Sequence, residues 1–261
     1  MDDDRLYQYI PISIIPVITI TLIILGSLFF EVGGGYPAMN PVIFFMFPLL
    51  VSILFMTVET PKTIMMALGM WFPDTRTKIV AGITGVLGIF IGWALVNFSQ
   101  VAPNILPIAL YPFALKSYTT AGLQTLLSLS SNVNFVLYFF VSIGEEFMVV
   151  LSGKNLANYF HKKGMENTIL ACLLGFFVAR VIWSCWHIFS YNFGASPMLY
   201  VSAIMLGSLF TILAIFSGML AKGYLFGKDV SNLRVLPILL PIAITTHWFF
   251  DWFLSQLMTI S

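Results

Sequence analysis

Seven runs of predominantly apolar residues govern what this chain can fold into: 9–30, 41–58, 79–99, 134–160, 167–190, 198–221 and 235–258. Each is close to the roughly 20 residues that carry a helix across a bilayer. In lipid every backbone N–H and C=O must be satisfied inside the protein, so such runs read as helices. Charge supports the same reading. Only 9% of the 261 residues are charged and 59% are hydrophobic, whereas a soluble domain carries about 25% charged residues. The expected fold is all-α: a polytopic transmembrane helix bundle of about seven spans, with interfacial or re-entrant helices beside them. Its first partner is the lipid bilayer. A net charge of +1 gives no electrostatic footprint for nucleic acid.

The start of the chain is acidic, Asp2, Asp3 and Asp4 before Arg5. A secretory signal has a basic start and a small-residue cleavage site, so the first run is expected to be a retained span. Basic residues alternate between connections. Lys62, Arg76 and Lys78 mark one, Lys162 and Lys163 the next, and Lys222, Lys228 and Arg234 the last, while 31–40 and 191–197 have no Lys or Arg. Positive loops stay in the cytoplasm, which predicts a multi-pass protein with its N-terminus cytoplasmic and its C-terminus outside. The connection 100–133 holds Pro103, Pro107 and Pro112 and then a Ser- and Thr-rich stretch. It reads as interfacial or re-entrant rather than as an eighth span. So does Met65 to Phe72. Residues 1–133 carry no signature; residues 134–261 hold the polar residues described next, within one structural domain.

Glu145 and Glu146 stand side by side in the fourth run. A carboxylate at the centre of a spanning helix costs about 2.5–3.5 kcal/mol on insertion scales, and packing alone does not offset two of them. The later runs add Arg180, Trp183, His187, His247 and Asp251. Counting helical rise from the basic connections, Glu145, His247 and Asp251 come to about 20–25 Å and His187 to about 31 Å. That is a similar layer, provided the fourth helix continues through Gly153. His247 and Asp251 are i and i+4 and share a face, as do Trp183 and His187. Glu145 and Glu146 are adjacent, about 100° apart on a helix, so they must meet different partners. Arg180 lies at the depth of the pair and calls for a carboxylate, Glu146 or Glu145. Glycines at 82, 85, 88, 92, 207 and 218 suit close helix packing in lipid.

Glu145-Glu146, then Trp183-Ser-Cys-Trp-His187, then His247-Trp-Phe-Phe-Asp251 give, in order, a Glu-Glu pair, an aromatic-x-x-x-His and a His-x-x-x-Asn/Asp. This resembles the CPBP family of intramembrane proteases, the CAAX protease and bacteriocin-processing group, over about residues 140–255. The family's first motif is Glu-Glu-x-x-x-Arg, and here Val150 stands at the Arg position; the second usually opens with Phe, and here with Trp183. What the resemblance implies is a glutamate-based endopeptidase acting on a membrane-associated peptide or a lipidated protein. Glu145 would activate a water, helped by His187. Glu146 would complete the acidic pair, and His247 and Asp251 would face the oxyanion. Arg180 would supply the charge missing at Val150. Two His and the carboxylates would also suit Zn²⁺ with an open position; the same five residues, Glu145, Glu146, His187, His247 and Asp251, would then be its ligands. The metal-free form is the expectation the resemblance favours.

Each polar group also has a plain alternative. The pair can be a structural partner for Arg180, His187 can pack between helices, and His247 can bond only to Asp251. A proton-coupled carrier uses the same residue types as a relay. A catalytically silent scaffold or immunity-type protein of the same fold would explain Val150.

Overall fold

The computed structural model describes residues 74–101, 131–186, 197–223 and 237–260. The expected runs 9–30 and 41–58, the stretch from Met65 to Phe72, and most of the connection 100–133 lie outside the described residues. So does His187. Five helices fill the remainder: α1 (Thr75–Val101), α2 (Ser131–Lys162), α3 (Thr168–Trp186), α4 (Pro197–Lys222) and α5 (Pro241–Ile260). Among the described residues there is no strand. Among the described residues, three helices are long and apolar enough to cross a membrane: Thr75–Ser99, Ser131–Lys162 and Tyr200–Lys222. In α3 the apolar stretch is shorter, Ile169–Ser184, and it holds Arg180.

Helix ends follow local chemistry. Asp74 caps α1, its Oδ1 accepting from the Thr77 amide at 2.7 Å, the favoured N-cap geometry. α2 runs unbroken through Gly153 to Lys162. It closes with Gly164 at φ 102°, Gly164 N–H donating to His161 O and Met165 N–H to Phe160 O. That is a Schellman end, which needs the left-handed conformation glycine adopts at little cost. His161 completes the turn, with Nδ1 at 3.1 Å from Met165 O. Asn167 then caps α3 through the Leu170 amide. The α2–α3 hairpin is close-packed: a Cβ on Gly175 would lie 2.5 Å from Ala157 N and 2.6 Å from Gly153 O.

The last helix departs from the expected span 235–258. It begins at Pro241, because proline has no amide hydrogen to donate and suits the first helical position. Residues 237–240 are not helical, yet Leu239 and Leu240 are buried. α4 satisfies the backbone of Leu239, whose N–H donates to Ala214 O and whose carbonyl accepts from Ser217 Oγ at 2.8 Å; Leu240 O accepts from Ile244 N–H of α5. Non-helical backbone at membrane depth is tolerated when protein covers it in this way.

Contacts fix the helix directions. α1 and α5 run parallel and close, since a Cβ on Gly92 would lie 2.7 Å from Thr246 O and 2.9 Å from Phe250 N, and Thr245 Oγ1 donates to Gly85 O at 2.7 Å. α2 runs antiparallel to α5: Trp248 Nε1 donates to Phe135 O at 2.7 Å and Trp252 Nε1 to Ser131 Oγ at 3.2 Å. α4 returns beside the start of α1, where Arg76 Nη1 lies 3.0 Å from the Cβ position of Gly223. The basic residues Arg76, Lys78, Lys162, Lys163 and Lys222 therefore share one end of the bundle. α1 ends and α2 begins at the other. The core between them holds Phe147, Val150, Phe210, Leu240 and Phe250, all nearly or fully buried.

Candidate active site

α2 places Glu145 and Glu146 near its middle, about 21 Å from its first residue at 1.5 Å per residue. Because they are adjacent, the two carboxylates separate. Glu146 turns to α3, where Arg180 Nη2 lies 2.6 Å from Oε2 and Nη1 3.3 Å from Oε1. Both side chains are 0% exposed, so this is a two-pronged, charge-assisted contact of the stronger kind. The third arm of the guanidinium is also used: Nε donates to Thr211 Oγ1 on α4 at 2.8 Å. Thr211 in turn donates to Gly207 O at 3.3 Å. α4 can approach this closely because position 207 is glycine: a Cβ there would lie 2.8 Å from the Trp183 ring and 3.0 Å from Arg180 Nη1.

Glu145 turns the other way. Its Oε2 accepts the indole N–H of Trp183 at 2.6 Å and stands 3.7 Å from His247 Nε2. Trp183 also carries the Arg180 guanidinium over its ring, 5.1 Å from the centroid, an attractive cation–π placement. One tryptophan thus touches both the acid and the cation.

His247 joins the acids. Nδ1 is 2.9 Å from Glu146 Oε1; Nε2 is 3.3 Å from Asp251 Oδ2, one turn along α5. Both ring nitrogens face carboxylate oxygens, so a neutral ring can donate to one of them and an imidazolium to both. The ring is held by stacking on Phe210 at 4.8 Å and 26° and by the edge of Trp183 at 6.1 Å. His247 is buried, while the Asp251 side chain is 20% exposed. Asp251 is therefore the member of the cluster nearest a way in.

Of the residues singled out in the sequence, Glu145, Glu146, Arg180, Trp183, His247 and Asp251 come together in one contact cluster, and His187 lies outside the described residues. Val150 is buried in the apolar core, with Arg180 reaching the acids from α3 instead. Phe210, Thr211 and Gly207 were not singled out as site residues. Thr211 is one helical turn after Gly207 in an apolar helix, and that is the one signal they carry.

Arg180 meets Glu146, and the nitrogens of His247 face the carboxylates of Glu146 and Asp251; His187, the other imidazole of the expected ligand set, lies outside the described residues. No group of three or more His, Cys, Asp or Glu side chains is arranged to hold an ion among the described residues. What the cluster offers is a buried carboxylate beside an imidazole, with three carboxyls set against one permanent cation.

Comparison of the chain with family models, with curated proteins and with solved structures finds no match.

Proposed function

We propose that the protein is an intramembrane endopeptidase of the CPBP type, hydrolysing a peptide bond of a membrane-associated or lipid-anchored substrate without a metal. The observation that carries this reading is the division of the acidic pair. Glu146 is held by Arg180 through two contacts, whereas Glu145 meets an uncharged indole and stands 3.7 Å from an imidazole. A carboxylate not bound to a fixed cation, in a water-poor site, is suited to act as a general base. In this role Glu145 takes a proton from a water, and the hydroxide attacks the peptide carbonyl carbon. The carbonyl oxygen, becoming negative, displaces Asp251 from His247 Nε2 and accepts the hydrogen bond of that N–H. When the C–N bond breaks, Glu145 returns its proton to the leaving amine. Arg180 and Glu146 hold His247 through Nδ1, and Asp251 holds Nε2 until substrate arrives.

The architecture of this reading is seven spans with a cytoplasmic N-terminus and interfacial or re-entrant segments. It places the site toward the non-cytoplasmic side, away from the basic end. His187, four residues after Trp183 in the sequence, would assist Glu145, as the resemblance implies.

The continuous chain Arg180–Glu146–His247–Asp251 favours a second reading, a proton relay in a coupled carrier. One experiment separates the two. Purified wild type and Glu145→Ala are compared on a quenched lipidated peptide, with and without a strong chelator. Cleavage by wild type that is lost in the variant and unaffected by chelator supports the peptidase. Loss with chelator overturns the metal-free form. No cleavage across a broad peptide panel overturns the peptidase, leaving the carrier or a silent scaffold.

A further inference from the structure

Several hydroxyls on these helices donate to a backbone carbonyl one turn back: Thr84 to Val80 O, Ser99 to Val96 O, Ser208 to Ile204 O and Ser255 to Trp252 O. This is the usual fate of Ser and Thr in an apolar helix. Ser142 departs from it. Its side chain is fully buried on α2, and its Oγ has no hydrogen-bond partner among the described residues. Thr246 is the other buried hydroxyl of this kind next to the cluster, but it lies against α1, where its Oγ1 is 3.0 Å from the Cβ position of Gly88. Ser142 instead belongs to the acidic helix. It precedes Glu145 by three residues and Glu146 by four, so it neighbours each of them on the helix surface. Helical side chains lean toward the N-terminus and cover the turn before their own Cα, which directs the Glu145 carboxylate back over Ser142.

We infer that Ser142 Oγ and the Glu145 carboxylate hold one water molecule between them, and that Ser142 is a positioning residue for the water that Glu145 activates. This rests on the proposed peptidase reading. A buried water takes two to four polar partners; Ser142 Oγ, which has no partner among the described residues, and Glu145, three residues on, are the two that α2 sets side by side. The hydroxyl, relieved of a backbone bond, can donate to the water oxygen or accept from it. The carboxylate accepts one of the water's hydrogens, the one it will remove. Glu146 already meets Arg180 and His247 through three contacts.

The test uses full-length protein in detergent with Ser142→Ala, Ser142→Thr and Glu145→Gln. Misplacing a nucleophile by about 1 Å costs on the order of 10²-fold. The expected result is a kcat for Ser142→Ala lowered by about that factor with KM unchanged, and recovery of most of the rate in Ser142→Thr, which keeps the hydroxyl. A wild-type kcat in Ser142→Ala overturns the assignment. So does a Ser142→Thr protein as slow as Ser142→Ala. If wild type cleaves nothing, the peptidase reading has failed, and the water is then judged by thermal unfolding of the two single variants, Ser142→Ala and Glu145→Gln, and their double. Non-additive shifts support a shared water, because the two side chains then act through one partner. Additive shifts overturn it.

Discussion

The indole N–H of Trp183 donates to Oε2 of Glu145 at 2.6 Å, across the α2–α3 contact and inside the core. An indole is a donor only, so it can hold a carboxylate without adding charge. A phenyl ring cannot do so. Trp183→Phe keeps an aromatic against His247 and under Arg180 but removes the bond. A hydrogen bond to a charged group contributes about 1.5–3 kcal/mol, and thermal unfolding in detergent should record a loss of that order. Peptide cleavage should fall as well, since Glu145 is then free to rotate. Unchanged stability and unchanged activity would remove Trp183 from the site.

Arg180 serves two oxygens of Glu146 and one of Thr211. Removing one partner of a buried pair costs about 3–5 kcal/mol, because the other charge is left uncompensated. Arg180→Leu is expected to destabilise the protein by that amount and abolish cleavage. Arg180→Lys restores the charge but not the planar fork, and is expected to recover little of either. A stable, fully active Arg180→Leu protein would end the idea that α3 supplies the charge missing at Val150.

What could be read in the residues, and what could not, divides along physical lines. Charged and imidazole side chains in apolar runs are conspicuous, so Glu145, Glu146, Arg180, His247 and Asp251 stand out without a structure. Adjacency alone required the two glutamates to part, but which one meets Arg180 depends on the rotation of α2 against α3, and periodicity does not carry it. Phe210 and Gly207 are ordinary residues of an apolar helix; their roles exist only because α4 turns that face to Arg180 and His247. The start of α5 was misplaced for a local reason. Residues 237–240 lie in an apolar run, yet Pro241 and the Leu239 bonds to Ala214 and Ser217 hold them out of helical form.

The split within the acidic pair gives a contrast between isosteric variants. Glu146→Gln leaves Arg180 buried without a counter-charge and is expected to cost about 3–5 kcal/mol. Glu145→Gln keeps an acceptor for Trp183 and meets no fixed cation, so its stability should stay within about 1 kcal/mol of wild type. Its cleavage rate should fall by at least about 100-fold, the scale of general-base catalysis. Unfolding curves and initial rates on the same preparations decide this. Equal stability losses would mean that the two carboxylates are not divided in role.

Asp74 offers a pH test away from the membrane interior. Its carboxyl is held below the usual range, first by the Thr77 amide and also by the charge of Lys222. A folded-state value below the unfolded one means that the contribution is complete above the unfolded value, about pH 4. It is lost as pH falls through the folded value. Asp74→Asn keeps the capping oxygen but does not titrate. The stability difference between wild type and Asp74→Asn should therefore be constant near neutrality and shrink as pH falls from 5 toward 3. A difference that holds constant to about pH 3 would show that the cap carries no charge-dependent part.

Two glycines in helices of similar length predict opposite signs for the same substitution. Replacing a mid-helix glycine by alanine ordinarily favours the helix by up to about 1 kcal/mol. At Gly82 a Cβ would meet nothing within 4 Å, so Gly82→Ala should raise the unfolding temperature. At Gly207 the same Cβ would press on the Trp183 ring at 2.8 Å and on Arg180 Cδ and Nη1 at 3.0 Å. Neither neighbour can retreat cheaply, because Trp183 is bonded to Glu145 and Arg180 to Glu146 and Thr211. Overpacking of this kind costs about 1–3 kcal/mol, which exceeds the helix gain, so Gly207→Ala should lower the unfolding temperature. It should also slow cleavage, since the displaced groups are the ones that hold the two carboxylates apart. A Gly207→Ala protein as stable as Gly82→Ala would place α4 farther from Arg180 than the Thr211 contact requires.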